Sequence, residues 1–292
     1  MDITAWIVLK ALLARSTHRD KGSISRFLSQ EDQKYLENIP EPEKDPLQAQ
    51  LDFSELLDKI HPSWIIAQLR SLPESEISLY LASLPDHQAA LAKKAFHSSR
   101  PCPELTDSAK DFVRSNMLSI FMDSVPDLIP ISLLPHSPLN TLLNLPASSI
   151  QKIIEYLGLH DLAVELKIII DTNQLKKIFL ALSPEKKSYL ESLKQNKEPV
   201  VFKHMQLSKW AGEPSTLLQV VHHRGLNRLA KAIYSECDSF KWYLSHMLSC
   251  QESALLHGLC KPLHHPKAIQ MLIHQILSLL PLVQNPLPPI KS

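Results

Sequence analysis

Apolar residues recur at helical spacing along most of this chain, and prolines separate the apolar runs. From Phe53 onward, runs of about ten residues follow one another, with apolar positions three or four residues apart. Pro62, Pro73 and Pro85 fall at predicted helix starts, where the missing N–H of proline leaves no hydrogen bond unmade. The Asn-Gly and Asp-Gly pairs typical of β-hairpins do not occur. We therefore predict an all-α protein.

Two stretches of the chain resemble each other, which indicates internal repetition. They read LRSLPESEISLYLASL at 69–84 and FLALSPEKKSYLESL at 179–193, each with a proline between two apolar runs. Because helices this short cannot each bury an apolar face alone, we expect them to stack on their neighbours. The predicted fold is an armadillo/HEAT-like helical-repeat superhelix.

Breaks in the apolar pattern divide the chain into predicted segments. The segments are an N-terminal helical docking segment at 1–37, a linker at 38–52, a helical repeat at 53–125, a Pro-rich connector at 126–138, a second helical repeat at 139–212, a C-terminal helical bundle at 213–284 and a disordered tail at 285–292. The first helix precedes a long linker and has little core of its own. We therefore predict that its Trp6 and Ile7 contact a partner.

Glycine is scarce, and this excludes several kinds of site. The chain has 5 glycines in 292 residues, where average usage gives about 20. Phosphate-binding loops need glycine for close backbone approach, and neither of the common Gly-rich phosphate motifs occurs. No nucleophile motif of hydrolases is present either. We predict a protein that is not an enzyme and carries no cofactor.

Charge and cysteine usage indicate a cytoplasmic protein that does not bind nucleic acid. Lys plus Arg number 31 and Asp plus Glu 30, without a basic stripe of the kind that follows phosphates. The four scattered cysteines do not form a disulfide framework. At the N-terminus Asp2 precedes the apolar stretch, where a secretion signal has a positive charge. We expect neither a signal peptide nor a membrane-spanning segment.

Histidines and cysteines concentrate in the last third of the chain. His257, Cys260 and His264 have a spacing that zinc could use, since zinc takes nitrogen and sulfur ligands. Neither a Cys-x-x-Cys pair nor a His-Glu-x-x-His motif accompanies them. We therefore interpret them as ordinary surface and helix-end residues, with a zinc site as the alternative.

The segment 60–96, IHPSWIIAQLRSLPESEISLYLASLPDHQAALAKKAF, resembles the middle domain of the flagellar motor switch protein FliG. That domain carries Glu-His-Pro-Gln, an apolar helix, a Leu-Asp-Pro break and two further helices. His61 and Pro62 match the motif, while Ile60 and Ser63 replace its Glu and Gln. In the family this motif binds the next protein of the cytoplasmic ring. The resemblance implies a partner contact at His61, Pro62, Ser63 and Trp64.

A second stretch, 142–193, is similar in spacing to the C-terminal domain of FliG. Asp-Leu-Ala at 161–163 and Lys-Ile-Phe at 177–179 match, and the following segment 198–210 resembles the family's Gly-Pro-Val-Arg-Leu. Where the family's torque helix begins Asp-Asp-Arg, this chain has Pro-Ala-Ser at 146–148. It keeps Lys152 and Glu155. The resemblance implies a contact surface at Ser148, Lys152 and Glu155, with fewer charges than a torque generator carries.

Together these matches imply a non-enzymatic cytoplasmic scaffold of a flagellar or type III secretion ring. Such a protein would bind basal-body and ring proteins and would lie at the inner membrane through them. Its N-terminal helix would be the counterpart of the family's domain that docks on the membrane ring protein. The resemblance also allows a ring of several copies of this chain. The alternatives are a helical-repeat secretion chaperone or effector, and a zinc-dependent enzyme.

Overall fold

The computed structural model describes residues 3–15, 26–39, 53–96, 102–123, 125, 128–194, 198–200, 202–207, 210–263 and 265–284. Every regular element within these ranges is a helix. The prediction of an all-α protein is confirmed. Residues 40–52 of the predicted linker and the predicted tail at 285–292 lie outside the described residues.

Fourteen α-helices and two short 3₁₀ helices are found in the described ranges. The α-helices are α1 (Ile3–Arg15), α2 (Gln30–Asn38), α3 (Phe53–Lys59), α4 (Pro62–Leu69), α5 (Glu74–Ser83), α6 (Asp86–Phe96), α7 (Asp107–Met122), α8 (Ala147–Leu166), α9 (Thr172–Ala181), α10 (Pro184–Lys194), α11 (Pro214–Ala232), α12 (Asp238–Met247), α13 (Cys250–Leu259) and α14 (Pro266–Gln284). The 3₁₀ helices are Ile131–Leu133 and Pro138–Asn144.

Helix starts lie where prolines and capping side chains predict them. Pro62 is the first residue of α4, Pro73 is the N-cap of α5, and Pro85 directly precedes α6. Asp171 caps α9, since its carboxylate accepts a hydrogen bond from the Asn173 N–H at 2.8 Å. The two similar stretches, 69–84 and 179–193, both form a helix end, a tight turn and a second helix.

By packing, the chain divides into two compact units. Unit 1 takes its described residues from 1–143 and 236–250, and unit 2 from 144–235 and 251–292. The division cuts across the predicted segment 213–284, because α12 belongs to unit 1 while α11 belongs to unit 2. The other predicted boundaries stay predictions.

Buried hydrogen bonds join α12 to the rest of unit 1. The Trp242 indole N–H donates to the Phe121 carbonyl at 3.2 Å, and the Tyr243 hydroxyl donates to the Ile129 carbonyl at 2.8 Å. Both side chains are buried. Since a buried polar group without a partner is costly, these two bonds fix the position of α12 against α7 and the segment after it.

Unit 2 is built around the close crossing of α8 and α11. A methyl group added at Gly158 would lie 2.0 Å from the Val221 carbonyl oxygen, and one at Gly225 would lie 1.7 Å from that of Ile154. The two backbones therefore touch at a distance that only glycine permits. Helices α9, α10 and α14 pack around this pair.

Helix α14 departs from the expectation that no segment could span a membrane. By length and composition alone α14 could cross a bilayer, with a mean hydropathy of 1.2 over its apolar window. A third of that window is buried, and its inward residues, among them Leu272, Ile276 and Leu279, belong to a helix that packs on α8 and α11. A core helix shows the same composition, so α14 alone does not indicate a membrane span.

Candidate functional site

The predicted contact residues of α4 lie at a hydrogen-bonded helix start in unit 1. His61 is the N-cap, and its Nδ1 accepts from the Ser63 N–H at 3.2 Å. The Ser63 hydroxyl lies 2.9 Å from the same nitrogen and accepts from the Cys250 N–H at 3.0 Å. All three side chains and Pro62 are half-buried. These contacts form a helix cap that joins α4 to Cys250, the last residue of unit 1.

Trp64, the last residue of that predicted contact, is also bound internally. Its indole N–H donates to the Leu248 carbonyl at 2.9 Å, and its ring stacks on His246 with centroids 4.3 Å apart. The side chain is half-buried. A partner at this position would therefore contact the edge of a tryptophan that is already packed on His246, not a free aromatic ring.

Helix α1 presents other side chains to solvent than those predicted. Trp6 and Ile7 are only 5% and 2% exposed, and the Trp6 ring packs edge-on against Tyr35 of α2 at 5.6 Å. The exposed apolar residues of α1 are Val8 and Leu12. The predicted partner role of Trp6 and Ile7 would need α1 to separate from this packing.

The predicted contacts on α8 lie at its N-terminal half. Ser148 and Lys152 are exposed. Glu155 is half-buried and forms an ion pair with Lys186 of α10 at 3.0 Å. Glu155 therefore joins α8 to α10, while Ser148 and Lys152 remain on the surface.

The predicted zinc ligands do not assemble among the described residues. His257 is exposed and Cys260 is half-buried on or beside α13, while His264 lies outside the described ranges. In the part of the chain that the structure describes, no group of three or more His, Cys, Asp or Glu side chains could hold a metal ion.

Sequence reasoning missed a buried charged cluster in unit 2, centred on Arg228 of α11. The Arg228 side chain is fully buried, and its guanidinium donates to Asp161 Oδ1 at 2.5 and 3.1 Å and to Glu198 Oε1 at 3.0 Å. It also donates to the Gln275 side-chain oxygen at 2.9 Å and to the Val200 carbonyl at 3.0 Å. One cation thus joins α8, α11, α14 and the segment 198–200.

A second layer of bonds holds Glu198 in place. His160 Nδ1 lies 2.7 Å from Glu198 Oε2, and its Nε2 lies 2.9 Å from the Tyr189 hydroxyl. Burial raises the pKa of Tyr189, so this hydroxyl keeps its proton at neutral pH and can donate to His160. The Gln275 amide also donates to Glu198 at 2.6 Å. Both oxygens of Glu198 are therefore bonded.

The two carboxylates that share Arg228 have pKa values shifted in opposite directions. Burial alone would raise the pKa of Glu198, but the His160 hydrogen bond and the Arg228 charge lower it to about 2. Burial raises the pKa of Asp161 despite its ion pair with Arg228. Glu198 accepts hydrogen bonds from His160 and Gln275 as well as from Arg228, whereas among the described residues Asp161 Oδ2 is buried without a hydrogen-bond partner.

Glu165 lies one helical turn after Asp161 on α8 and also accepts hydrogen bonds from outside its own helix. Its carboxylate accepts from the Met205 N–H at 3.0 Å and from the Leu207 N–H at 3.1 Å. Together with Glu198 and Arg228, it joins residues 198–200 and 202–207 to the helices. We interpret the whole cluster as an internal brace of unit 2, because its groups are buried and bonded to each other.

One exposed apolar region of unit 2 lies at α9, next to α10. Leu180 is 79% exposed and lines an open groove of about 440 Å³, together with Leu175, Phe179, Lys176 and Lys187. Just before α9, Ile168 and Ile170 are also exposed. Leu175 and Phe179 are half-buried against the core of unit 2, so Leu180 is the exposed apolar side chain among the residues that line this groove.

Comparison of the chain with protein-family models, curated proteins and solved structures found no match.

Proposed function

We propose that this chain is a non-enzymatic scaffold that binds other proteins through exposed helical surfaces. The observation that carries the proposal is the groove between α9 and α10, where Leu180 is 79% exposed beside the half-buried Phe179 and Leu175. Exposing an apolar side chain to water is unfavourable by about 1.5–3 kcal/mol relative to burying it. A partner that covers the groove recovers this free energy.

The cluster around Arg228 supports a scaffold role because it holds together the helices on which α9 and α10 pack. Helices α9 and α10 pack on α11 and α8, and these two are held together by the glycine crossing and the shared guanidinium. A surface that is already in place before binding loses less conformational entropy when a partner arrives. Such an arrangement suits an assembly component that presents fixed contact positions.

The resemblance to FliG supports a more specific assignment. In this proposal the chain is part of a flagellar or type III secretion cytoplasmic ring, and its stacked helices follow an armadillo-like repeat. The helix–turn–helix form of both 69–84 and 179–193 is consistent with such repetition. The scaffold would lie in the cytoplasm at the inner membrane through its partners.

Affinity capture from native bacterial membranes tests the proposed function. The full chain is used as bait beside Leu180→Glu and the matched control Leu255→Glu, whose target residue is an exposed leucine of α13 in the same unit. Wild type and Leu255→Glu should recover ring or export proteins, and Leu180→Glu should recover less of them. Recovery of no ring or export protein with any bait contradicts the proposal.

A further inference from the structure

The groove between α9 and α10 has a defined sign of charge as well as an apolar floor. Five residues line it, three of them apolar, and the two charged ones, Lys176 and Lys187, are both cationic. Among the residues that the structure describes, no carboxylate lines the groove. The surface therefore offers an apolar contact next to two ammonium groups.

Two charged residues of α10 next to Lys187 act on α8. Lys186 pairs with Glu155 of α8 at 3.0 Å. Glu185 acts on Tyr156, also on α8: burial is the main reason that the pKa of this tyrosine is raised, and the Glu185 charge adds to it. Lys187 is the residue of α10 that lines the groove, and the exposed Glu191 follows it four residues later, outside the lining.

The helical spacing of the groove residues suits a helical ligand. Leu175 and Phe179, and likewise Lys176 and Leu180, are four residues apart on α9, so each pair lies along one side of the helix. An open groove of this kind takes one or two anchor side chains of an amphipathic helix, spaced at i and i+4. Three apolar side chains are too few to enclose a lipid chain.

We propose that the groove binds an acidic amphipathic helix of a partner protein, with leucine-like anchors facing Leu180 and carboxylates facing Lys176 and Lys187. The inference rests on the proposed function, because it names the chemistry of the partner that the scaffold binds. Charge complementarity selects this occupant: a basic helix would be repelled, and two lysines without a basic stripe do not track nucleic acid.

Fluorescence anisotropy with two labelled synthetic helices tests the inference. One peptide of about 16 residues carries leucines at i, i+4 and i+7 with glutamates between them, and the other has lysine in place of each glutamate. The full chain should bind the acidic peptide at least tenfold more tightly than the basic one. Raising the salt concentration should weaken the acidic complex, since screening reduces charge attraction.

Variants of the full chain locate the binding. Leu180→Glu should weaken the binding of the acidic peptide at least tenfold. The double variant Lys176→Glu/Lys187→Glu should bind the basic peptide more tightly than the acidic one. Leu255→Glu should leave the affinity for the acidic peptide and the preference for it unchanged. Circular dichroism checks that each variant is folded. The double variant should also bind the basic peptide more tightly than wild type does, and such a gain of binding cannot arise from unfolding.

The inference is overturned if both peptides bind equally, if neither binds, or if Leu180→Glu leaves the binding unchanged. It is also overturned if a short fatty acid displaces the acidic peptide at a concentration below that of the peptide.

These outcomes can be told apart from failure of the proposed function. If membrane capture recovers ring proteins while the acidic peptide does not bind, the scaffold role stands and the inference fails. If the peptide binds but no ring protein is recovered, the ring assignment fails.

Discussion

At the scale of single residues, Arg228 decides how unit 2 holds together. A fully buried guanidinium would be very costly alone, but here Asp161 and Glu198 neutralise it and three elements besides its own supply acceptors. Removing one partner of such a group leaves the others buried and uncompensated, which costs more than the pair contributes. The brace is therefore sensitive to loss of any one member.

We expect Arg228→Ala to lower the free energy of unfolding by about 3–5 kcal/mol, because it strands two buried carboxylates. The matched control is Arg224→Ala, one turn earlier on α11, whose guanidinium donates to the His204 carbonyl at 2.9 Å. It should cost about 1 kcal/mol or less. Urea denaturation followed by circular dichroism measures both. Equal losses would show that Arg228 has no special structural role.

The lowered pKa of Glu198 predicts an acid-sensitive contribution to stability. Its pKa is about 2 when folded, against an ordinary value of 4.5. A carboxylate shifted down stabilises the fold above its ordinary pKa, and this contribution is lost as pH falls from 4.5 towards 2. Asp161, whose pKa is raised, contributes in the opposite sense.

Glu198→Gln should therefore be less stable than wild type near neutral pH, and the difference should shrink as pH is lowered below about 4.5. Asp161 is present in both proteins, so its titration largely cancels from the comparison. Urea denaturation at several pH values between about 3 and 7 measures the difference. Glu191→Gln, at an exposed position on α10, is the control and should follow wild type. A difference that does not change with pH would contradict the predicted role of the Glu198 charge.

At the scale of elements, the helix starts could be predicted from prolines and capping residues, but the buried cluster around Arg228 could not be predicted from the sequence. Pro62, Pro73 and Pro85 mark helix starts because the chemistry that begins a helix is local. Arg228 shows what a local pattern can miss. It lies seven residues after Val221, on the apolar side of α11, where a charged residue signals a buried partner. Which carboxylates pair with Arg228 depends on which helices pack together. The spacing of apolar residues along the sequence does not give this information.

From the sequence, the scarcity of glycine argues against phosphate-binding loops but does not reveal what the few glycines do. Two of the five glycines prove to be packing residues at the crossing of α8 and α11. Gly158→Ala should destabilise the protein by about 1–3 kcal/mol or more, because the new methyl group collides with the Val221 backbone. This carbonyl cannot move aside without shifting the helix.

Gly258→Ala is the matched control for that prediction. It lies in α13, and among the described residues no atom outside the adjoining part of this helix is within 4 Å of the position of its added methyl group. Alanine is the better helix former, so this change should stabilise the protein by about 0.5–1 kcal/mol. Thermal denaturation of the two variants compares them directly. Stabilisation by Gly158→Ala would mean that α8 and α11 do not cross closely.

At the scale of the whole molecule, sequence order was a poor guide to which segments pack together. Residues 236–250 belong to unit 1, although the helix before them in the chain, α11, belongs to unit 2. Buried bonds from Trp242 and Tyr243 of α12 to residues before 130 explain why. Long-range partners of this kind leave no periodic signal. The contacts inferred from FliG at His61–Trp64 and Ser148–Glu155 stay predictions.

Photocrosslinking in native cells tests most directly that partner proteins bind between α9 and α10. A photoreactive amino acid replaces Leu180 in one strain and the exposed Leu255 in another, with the rest of the chain unchanged. We predict adducts with a ring or export protein from position 180, and few or none from position 255. No adduct at position 180, or equal adducts at both positions, would contradict the account.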